Sequence, residues 1–324
     1  RPSSTAELLM GTIAPTAQVR GTVELALQGS RRDVAGRVFQ AALLLSLLVS
    51  LLILIVLLAT TIVDAWPVLS TRLGDFVSSN GSQLDSRAGV RQGIVGSLVL
   101  IGFVAVVALP LGVSAAIYLQ EYARDTRLNR LLTTSIRNLA GVPSIVYGIL
   151  GLVVFVQALR AITGPGVFGR SYIAGGMTLT VLVLPIIILI TMEALRSVPR
   201  SIREAAYGVG ATRWEVVRSH VLPYAAPGIF TGAILSLARA FGETAPLLLV
   251  GAVTGYLSTP TGRSPLEILQ GKYTALPTQV FAWSRLAGDG WKANTAAAII
   301  VLLAIILVVN LLAILLRNRY DRKW

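Results

Sequence analysis

Long stretches without charge alternate with short arginine-rich segments along this chain. The first stretch, between Arg37 and Asp64, has 26 uncharged residues. At about 1.5 Å per residue, a helix of this length can cross a hydrocarbon core about 30 Å thick. Later stretches are similar, and the pattern predicts six membrane-spanning helices, at about residues 41–63, 93–119, 139–159, 172–192, 226–252 and 294–316.

The composition favours an all-α integral membrane protein. Hydrophobic residues make up 54% of the 324 positions and charged residues 13%, whereas soluble domains carry about 25% charged residues. We predict one membrane domain, residues 41–316, between terminal segments 1–40 and 317–324. The first helix is longer than the apolar region of a signal peptide, so we expect it to remain in the mature chain. Because the sequence begins with arginine, we also expect an initial segment to be missing or processed.

Basic residues indicate which side of the membrane each predicted loop faces. The formal charge of +13 would suggest nucleic-acid binding in a soluble protein, but here the basic residues lie between apolar stretches. Residues 1–40, 120–139, 193–223 and 317–324 together hold 18 Lys and Arg, against 9 in the three other loops. Because cytoplasmic loops retain positive charge, both termini are predicted to be cytoplasmic, with no nucleic-acid partner.

The residue types that several other chemistries need are missing. The chain has no cysteine and one histidine, His220, which excludes disulfides and thiolate metal sites and disfavours a histidine metal centre. No G-x-x-x-x-G-K-[ST] phosphate-binding loop occurs in the sequence. No cluster of nucleophile, base and orienting residue is recognisable, which disfavours a membrane enzyme. We predict a non-enzymatic chain without metal or cofactor, and assign His220 no role.

The loop at 193–223 contains two capping-box patterns. Ser201 with Glu204, and Thr212 with Glu215, both fit S/T-x-x-E, in which each side chain bonds to the other residue's backbone N–H. Two short helices are therefore predicted, with starts eleven residues apart.

Glycines and a proline set the predicted ends of these two helices. Gly208 and Gly210 would end the first, because glycine permits a sharp reversal, and Pro223 would limit the second. The resulting knob is predicted to expose Ala205, Ala206, Tyr207, Val209 and Trp214. Such a knob suits the groove of a partner protein, and the alternative is a connector packed on the chain's own membrane helices.

A charged pair interrupts the fifth predicted span. Arg239 and Glu243 are four residues apart, so on one helix they share a face near mid-span. A charge at the membrane centre costs roughly 2.5 to 3.5 kcal/mol on insertion scales, and such residues line cavities or pair together. The planar donor group of arginine suits a tetrahedral oxyanion, and a carboxylate can accept a hydrogen bond from a protonated one. Phosphate retains such a proton at neutral pH and sulfate does not. The pair predicts an oxyanion pathway, with a structural ion pair as the alternative.

Prolines lie within several predicted spans. They are Pro110, Pro143, Pro185 and Pro246. Each removes a backbone donor that lipid cannot replace, so we expect several spans to bend. Proline is common in membrane helices generally, and only the whole set indicates a pathway.

The 193–223 loop resembles a known motif. Glu204-Ala-Ala, then Gly210, then Leu222-Pro223 are similar to the EAA loop of ABC-importer permeases, with His220 where that family usually has an aliphatic residue. The resemblance implies a type I, MetI-like permease bundle of six transmembrane helices with a cytoplasmic coupling helix. The coupling residues it implies are Ser201, Glu204, Ala205, Ala206 and Gly210. ATP and Mg would be bound by a separate, homodimeric ATPase.

A second resemblance concerns the charged pair. Arg239 and the run Gly242-Glu-Thr-Ala-Pro246 with the leucines after it resemble PstA-type permeases of phosphate importers, and Ala245-Pro246 favours this type over the PstC type. The segment Gly141–Gly148 resembles phosphate-import permeases in general. This implies inorganic phosphate as substrate, with Arg239, Glu243 and Thr244 on the pathway, in the plasma membrane of a prokaryote. The implied partners are a PstC-like second permease, the ATPase and an extracytoplasmic phosphate-binding protein.

Two other classes of transporter remain as alternatives. A permease for sulfate, molybdate or phosphonate would share the loop motif. An ion-coupled secondary transporter or channel would need no ATPase and commonly shows internal repeats, of which we find no convincing example.

Residues 1–40 and the 254–292 loop match no motif. The loop contains Tyr256, Tyr273, Trp283 and Trp291. These aromatic residues are expected either at the lipid interface or against an extracytoplasmic binding protein.

Overall fold

The computed structural model describes residues 34–253 and 264–320, and these contain helices and connecting turns without a β-strand. Parts of the predicted terminal segments, and Tyr256, lie outside these ranges. The α-helices are α1 (Val34–Thr71), α2 (Leu73–Ser78), α3 (Arg91–Ile117), α4 (Arg127–Ala140), α5 (Ser144–Gly151), α6 (Arg160–Thr163), α7 (Tyr172–Arg196), α8 (Arg200–Gly208), α9 (Arg213–Val216), α10 (Leu222–Gly242), α11 (Ala245–Leu249), α12 (Pro265–Leu269), α13 (Leu276–Trp283) and α14 (Asp289–Tyr320). π-Helical turns extend α3 (Tyr118–Tyr122) and α5 (Leu152–Ala158) and join α9 to α10 (Val217–Val221).

Five of the described helices are long and apolar enough to span a membrane. They are Val34–Thr71, Arg91–Tyr122, Tyr172–Arg196, Arg213–Gly242 and Asp289–Leu315. A further pair, Arg127–Ala140 with Ser144–Ala158, passes the same test as one broken span, and its halves meet at 103°. Counting that pair as one span gives six, which confirms the predicted all-α membrane class.

Two prolines mark breaks in the spans, and two do not. Pro143 immediately precedes α5 at the sharp bend, and Pro246 lies in the first turn of α11. Pro110 and Pro185 lie inside α3 and α7, which continue through them. The third span is therefore bent rather than straight over 139–159.

Helix α7 is the centre of the bundle, and most of its residues are buried between neighbouring helices. Leu179 and Val183 join a core with Leu100 and Val104 of α3. A helix of 25 residues is about 37 Å long. We call the end of the bundle where α7 leads into the 193–223 loop the loop end, and the opposite one the far end.

The segment leading into α13 is buried at the far end. The Ser97 hydroxyl accepts a hydrogen bond from the backbone N–H of Leu276 at 2.8 Å. Tyr273 and Trp283 are 0% and 5% exposed, and the Trp291 ring packs at a tilt against that of Trp283, with ring centroids 5.6 Å apart. The prediction that Tyr273 and Trp283 face lipid or another protein is therefore wrong, because both rings belong to the chain's own core.

The described residues fall into two compact units. Residues 34–59, the first part of α1, form a helix with nearly every side chain exposed. Residues 60–253 and 264–320 belong to the second unit, which contains the buried core and every site described below.

Candidate functional site

The charged pair lies where the fifth long helix ends. Helix α10 stops at Gly242, and Glu243 has an extended backbone (φ −74°, ψ 123°) before α11 begins at Ala245. Pro246 lacks the N–H that would bond to the Gly242 carbonyl in a continuous helix, which accounts for the break. The prediction of one unbroken helix with both charges near its middle is therefore wrong, since Arg239 occupies the last turn.

The two charges nevertheless form an ion pair. Nε of Arg239 lies 3.4 Å from Oε1 of Glu243. The arginine side chain is 47% exposed and the glutamate side chain 16%, so the guanidinium is the more accessible partner. Within the described ranges, its terminal amino groups have no hydrogen-bond acceptor. Thr244, the next residue, is partly buried.

The two segments that carry the phosphate-permease resemblance pack against each other. A Cβ at Gly148 would lie 2.7 Å from Cα of Pro246, so glycine permits this close approach. The neighbouring Tyr147 is buried, and its hydroxyl donates to the Leu139 carbonyl at 2.7 Å, which connects α5 to α4 across the bend. Tyr147 is thus a site residue that the charge pattern did not identify, although it lies in the segment that carries the resemblance.

The predicted helix–turn–helix is present at the loop end, with one different cap. The Thr212 hydroxyl accepts from the N–H of Glu215 at 3.4 Å, and the Glu215 carboxylate accepts from the N–H of Thr212 at 2.7 Å, which confirms the second capping box. Helix α8 instead begins at Arg200, directly after Pro199. Ser201 therefore lies inside the first turn and makes no capping bond, so the first predicted capping box is wrong. Proline takes the capping position because its backbone is already suited to the turn before a helix.

Gly210 makes the turn after α8. Helix α8 ends at Gly208, as predicted, and Gly210 has φ +85°, a conformation that residues with a Cβ resist. Contrary to the prediction, Pro223 does not stop the following helix. The π-helical turn Val217–Val221 leads from α9 directly into α10. Because this turn is wider than an α-helical one, the helix tolerates the missing backbone N–H of Pro223.

The knob, residues 200–216, exposes most of its predicted contact residues. The exposed ones are Glu204, Ala205, Tyr207, Val209 and Trp214. The prediction that Ala206 is exposed is wrong, because this residue is 4% exposed and packs with Leu195 and Val216. Its small side chain allows close packing inside the chain rather than against a partner.

Arg203, which the sequence patterns did not identify, ties the knob to the bundle. Its Nη2 lies 2.7 Å from Oε1 of Glu121 in the π-helical turn after α3, and the two side chains are 19% and 9% exposed. Arg203 also donates to the carbonyls of Leu195 at 2.9 Å and Val198 at 2.7 Å, at the end of α7. One side chain thus connects α8 to two membrane helices.

A bundle with five helices, or six with the bent pair, that are apolar enough to span a membrane defines a multi-pass membrane protein. Residues 108–324 match the family described as "Binding-protein-dependent transport system inner membrane component". The chain belongs to this family, and its role is that of a non-enzymatic membrane component.

Individual relatives agree with this assignment. The chain is 32% identical over 289 residues to "Phosphate transport system permease protein PstA 1" of Mycobacterium tuberculosis (strain CDC 1551 / Oshkosh), covering 89% of this chain and 90% of that protein. It is 35% identical over 179 residues to "Probable ABC transporter permease protein YqgI" of Bacillus subtilis (strain 168), covering 55% of this chain and 58% of that protein. The first of these matches confirms the resemblance to PstA-type permeases, and the second agrees with the wider class of ABC transporter permeases.

The fold is similar to that of a solved transporter chain. The structure of a bacterial ABC transporter involved in the import of the acidic polysaccharide alginate superposes with a TM-score of 0.62 at 16% identity, covering 90% of this chain and 99% of that one. At this identity the likeness concerns the fold alone, and it confirms the predicted permease bundle.

Proposed function

We propose that this chain is the PstA-type permease subunit of an ATP-driven phosphate importer and forms half of its translocation pathway. The observation that carries the proposal is the half-exposed guanidinium of Arg239, held by Glu243 at a helix break. Family membership and the likeness to a PstA protein over most of the chain support it. A fixed cation with free donors suits an oxyanion, and Glu243 can accept a hydrogen bond from the protonated oxygen that phosphate retains at neutral pH.

The ion pair also suits transient binding of a transported anion rather than tight binding. An oxyanion that approaches Arg239 must share the guanidinium with Glu243, whose negative charge repels it. The contact is therefore weaker than with a free arginine, which allows release toward the next position on the pathway. Thr244 supplies a neutral hydroxyl beside the pair.

Two connections at the loop end would couple ATP hydrolysis by the partner to movement of this chain. A homodimeric ATPase, which binds ATP and Mg, would seat on the exposed Glu204 and Ala205 side of α8. Its closure would move α8 and, through Arg203, the end of α3. The helix from Arg213 to Gly242 is continuous over 30 residues, or about 45 Å, so tilting it at the knob moves Arg239.

The remaining partners and the orientation belong to the same proposal. A PstC-like permease would complete the pathway, and an extracytoplasmic phosphate-binding protein would deliver phosphate at the far end. The loop end and both termini would face the cytoplasm of a prokaryote. Because the chain contains no cysteine, single cysteines at Ser86 and Ser201 test this with a membrane-impermeant reagent. In intact cells we expect the reagent to label the cysteine at position 86 and not the one at position 201. The opposite result would overturn the orientation.

The substrate site is tested by uptake of labelled phosphate into vesicles that carry the complete complex. We expect Arg239→Gln to lower uptake at least tenfold in an assembled complex, because a hydrogen bond to a charged group is worth about 1.5 to 3 kcal/mol. Arg218→Gln is the matched control, since it removes the same charge from the loop-end part of the same continuous helix. Normal uptake by Arg239→Gln would make the pair structural. Stronger competition by sulfate, molybdate or phosphonate than by phosphate would reassign the substrate.

The coupling surface is tested by reversing one charge. Glu204→Lys should detach the ATPase or uncouple ATP hydrolysis from transport, because Glu204 is exposed on the knob. Glu193→Lys reverses an exposed charge that pairs with Arg196 on α7 near the same end. Equal coupling in both variants would exclude Glu204 from the ATPase contact.

A further inference from the structure

A second basic site lies at the far end of the bundle. A cavity of about 500 Å³ opens between the π-helical extension of α5, the turn before α7, the turn after α11 and the segment before α13. Its described lining includes Leu152, Gln157, Phe168, Arg170, Gly251 and Lys272. We call this space the far-end cavity. It is distinct from the Arg239 pair, none of whose residues lines it.

The charge of the far-end cavity is positive. Arg170 and Lys272 are both exposed, and neither forms an ion pair within the described ranges. No carboxylate is among the described lining residues. Glu267 is the acid nearest in sequence to Lys272, and its carboxylate accepts from the backbone N–H of Ser264. Two unpaired cations facing one open space attract anions.

The backbone around Arg170 is shaped to hold its side chain over the cavity. A Cβ at Gly251, which has φ +92°, would lie 2.6 Å from both Cγ and Cδ of Arg170. The stem of Arg170 therefore rests on bare glycine backbone. Phe168, two residues earlier, is the one non-glycine residue with positive φ (54°) in the described ranges, and the Arg160 guanidinium lies 5.6 Å from its ring centroid. Unusual backbone conformations of this kind are maintained where surrounding structure requires them.

The position of the cavity matches the entrance of the proposed pathway. Gln157 lies ten residues beyond Tyr147 along α5 and its extension, so along the helix axis it is at most about 15 Å further toward the far end than Tyr147. Helix α11 leads directly from the charged pair to Gly251. The charged pair and the cavity therefore flank α11, one before its first residue and the other after its last.

We infer that the far-end cavity is a weak oxyanion-binding vestibule, in which Arg170 and Lys272 hold a phosphate group before it reaches Arg239. This inference rests on the proposed function for its role in transport, but the binding itself is independent of it. The two cations could bind either free inorganic phosphate or the phosphate of a lipid headgroup. We propose inorganic phosphate, the transported ligand.

The test is phosphorus NMR line broadening of inorganic phosphate by the assembled complex in nanodiscs of zwitterionic lipid, without binding protein. Arg239→Gln is present in every sample, so that the first site is removed. Arg170→Gln and Lys272→Gln should each weaken binding about threefold and together about tenfold, as expected for exposed charges. Binding should also weaken with added sodium chloride. Arg170→Lys retains the charge and should bind nearly as well as arginine.

The matched control is Arg87→Gln with Arg91→Gln, which removes two exposed charges from the far end outside the cavity. Unchanged phosphate binding in the Arg170 and Lys272 double variant, or equal loss in the control, overturns the inference. A further sample uses nanodiscs that contain anionic lipid. If the chain with Arg170 and Lys272 retains that lipid, the double variant does not, and neither binds free phosphate, the oxyanion chemistry is supported but its ligand is a lipid headgroup. Failure of the proposed function would appear separately, as uptake of another anion by the natural complex.

Discussion

Removing Arg203 should loosen the knob from the bundle far more than removing an exposed neighbour. Arg203 and Glu121 lie 2.7 Å apart, with side chains 19% and 9% exposed. Removing one partner of a buried pair leaves the other charge unpaired and typically costs 3 to 5 kcal/mol. Since this pair retains some exposure, we expect Arg203→Met to lower the free energy of unfolding by about 3 kcal/mol, at the lower end of that range.

A nearby ion pair supplies the control. Arg196 and Glu193 lie 3.1 Å apart, but their side chains are 42% and 66% exposed. Exposed pairs are worth about 0.2 to 1 kcal/mol, so Arg196→Met should cost about 0.5 kcal/mol or less. The two variants thus differ mainly in the burial of the pair that they break.

The assay is equilibrium unfolding in mixed micelles, followed by circular dichroism, with a double-mutant cycle on Arg203→Met and Glu121→Gln. We expect a coupling energy above about 1 kcal/mol, as is typical for residues in one network. In the proposed complex with an ATPase, the same variants should hydrolyse ATP with reduced transport, because Arg203 would no longer connect α8 to the end of α3. Equal destabilisation by Arg203→Met and Arg196→Met would refute the claim that Arg203 anchors the knob.

Four further substitutions test local features of the fold. Gly148→Ala places a Cβ 2.7 Å from Cα of Pro246 and should destabilise the chain by about 1 to 3 kcal/mol, measured by the same unfolding assay. Gly210→Ala, at φ +85°, should cost about 1 kcal/mol, whereas Gly208→Ala should be neutral or stabilising because the space around it is open. Thr212→Val removes a capping bond and should cost about 1 kcal/mol, with faster amide exchange in the first turn of α9.

Each of these expectations has a clear contrary result. A Gly148→Ala chain as stable as the natural one would mean that α5 and α11 can separate without cost. Equal stability of Gly210→Ala and Gly208→Ala would show that the turn adopts another conformation. Unchanged exchange in Thr212→Val would mean that the helix start is held by packing alone.

Local features were predictable because they depend on neighbours in the chain. The uncharged stretches identified the long helices, since spanning a membrane depends on length and composition. The Thr212 capping box and the turn near Gly210 were found for the same reason. The Ser201 capping box failed where two local signals competed, because Pro199 begins the helix earlier.

The pairing of Arg239 with Glu243 shows where local reasoning meets its limit. Their spacing left an ion pair open as the alternative to an oxyanion pathway, and the two side chains do pair. The spacing was interpreted on a regular helix, however, and the helix ends between them. Pro246 explains this break, yet Pro110 and Pro185 lie in continuous helices. A proline removes one donor in every case, and the surrounding helices determine whether the helix ends there.

The sequence by itself determined the class of protein, the number of apolar stretches and the residues of the two motifs. Tertiary structure alone decided which of those residues meet. It placed Tyr273 in the core, Ala206 against its own bundle and Arg203 beside Glu121, 82 positions away. It also brought Arg170 and Lys272 to one cavity. Such contacts join segments that are distant in the chain, and they form because packed helices must bury apolar surface and pair their few charges.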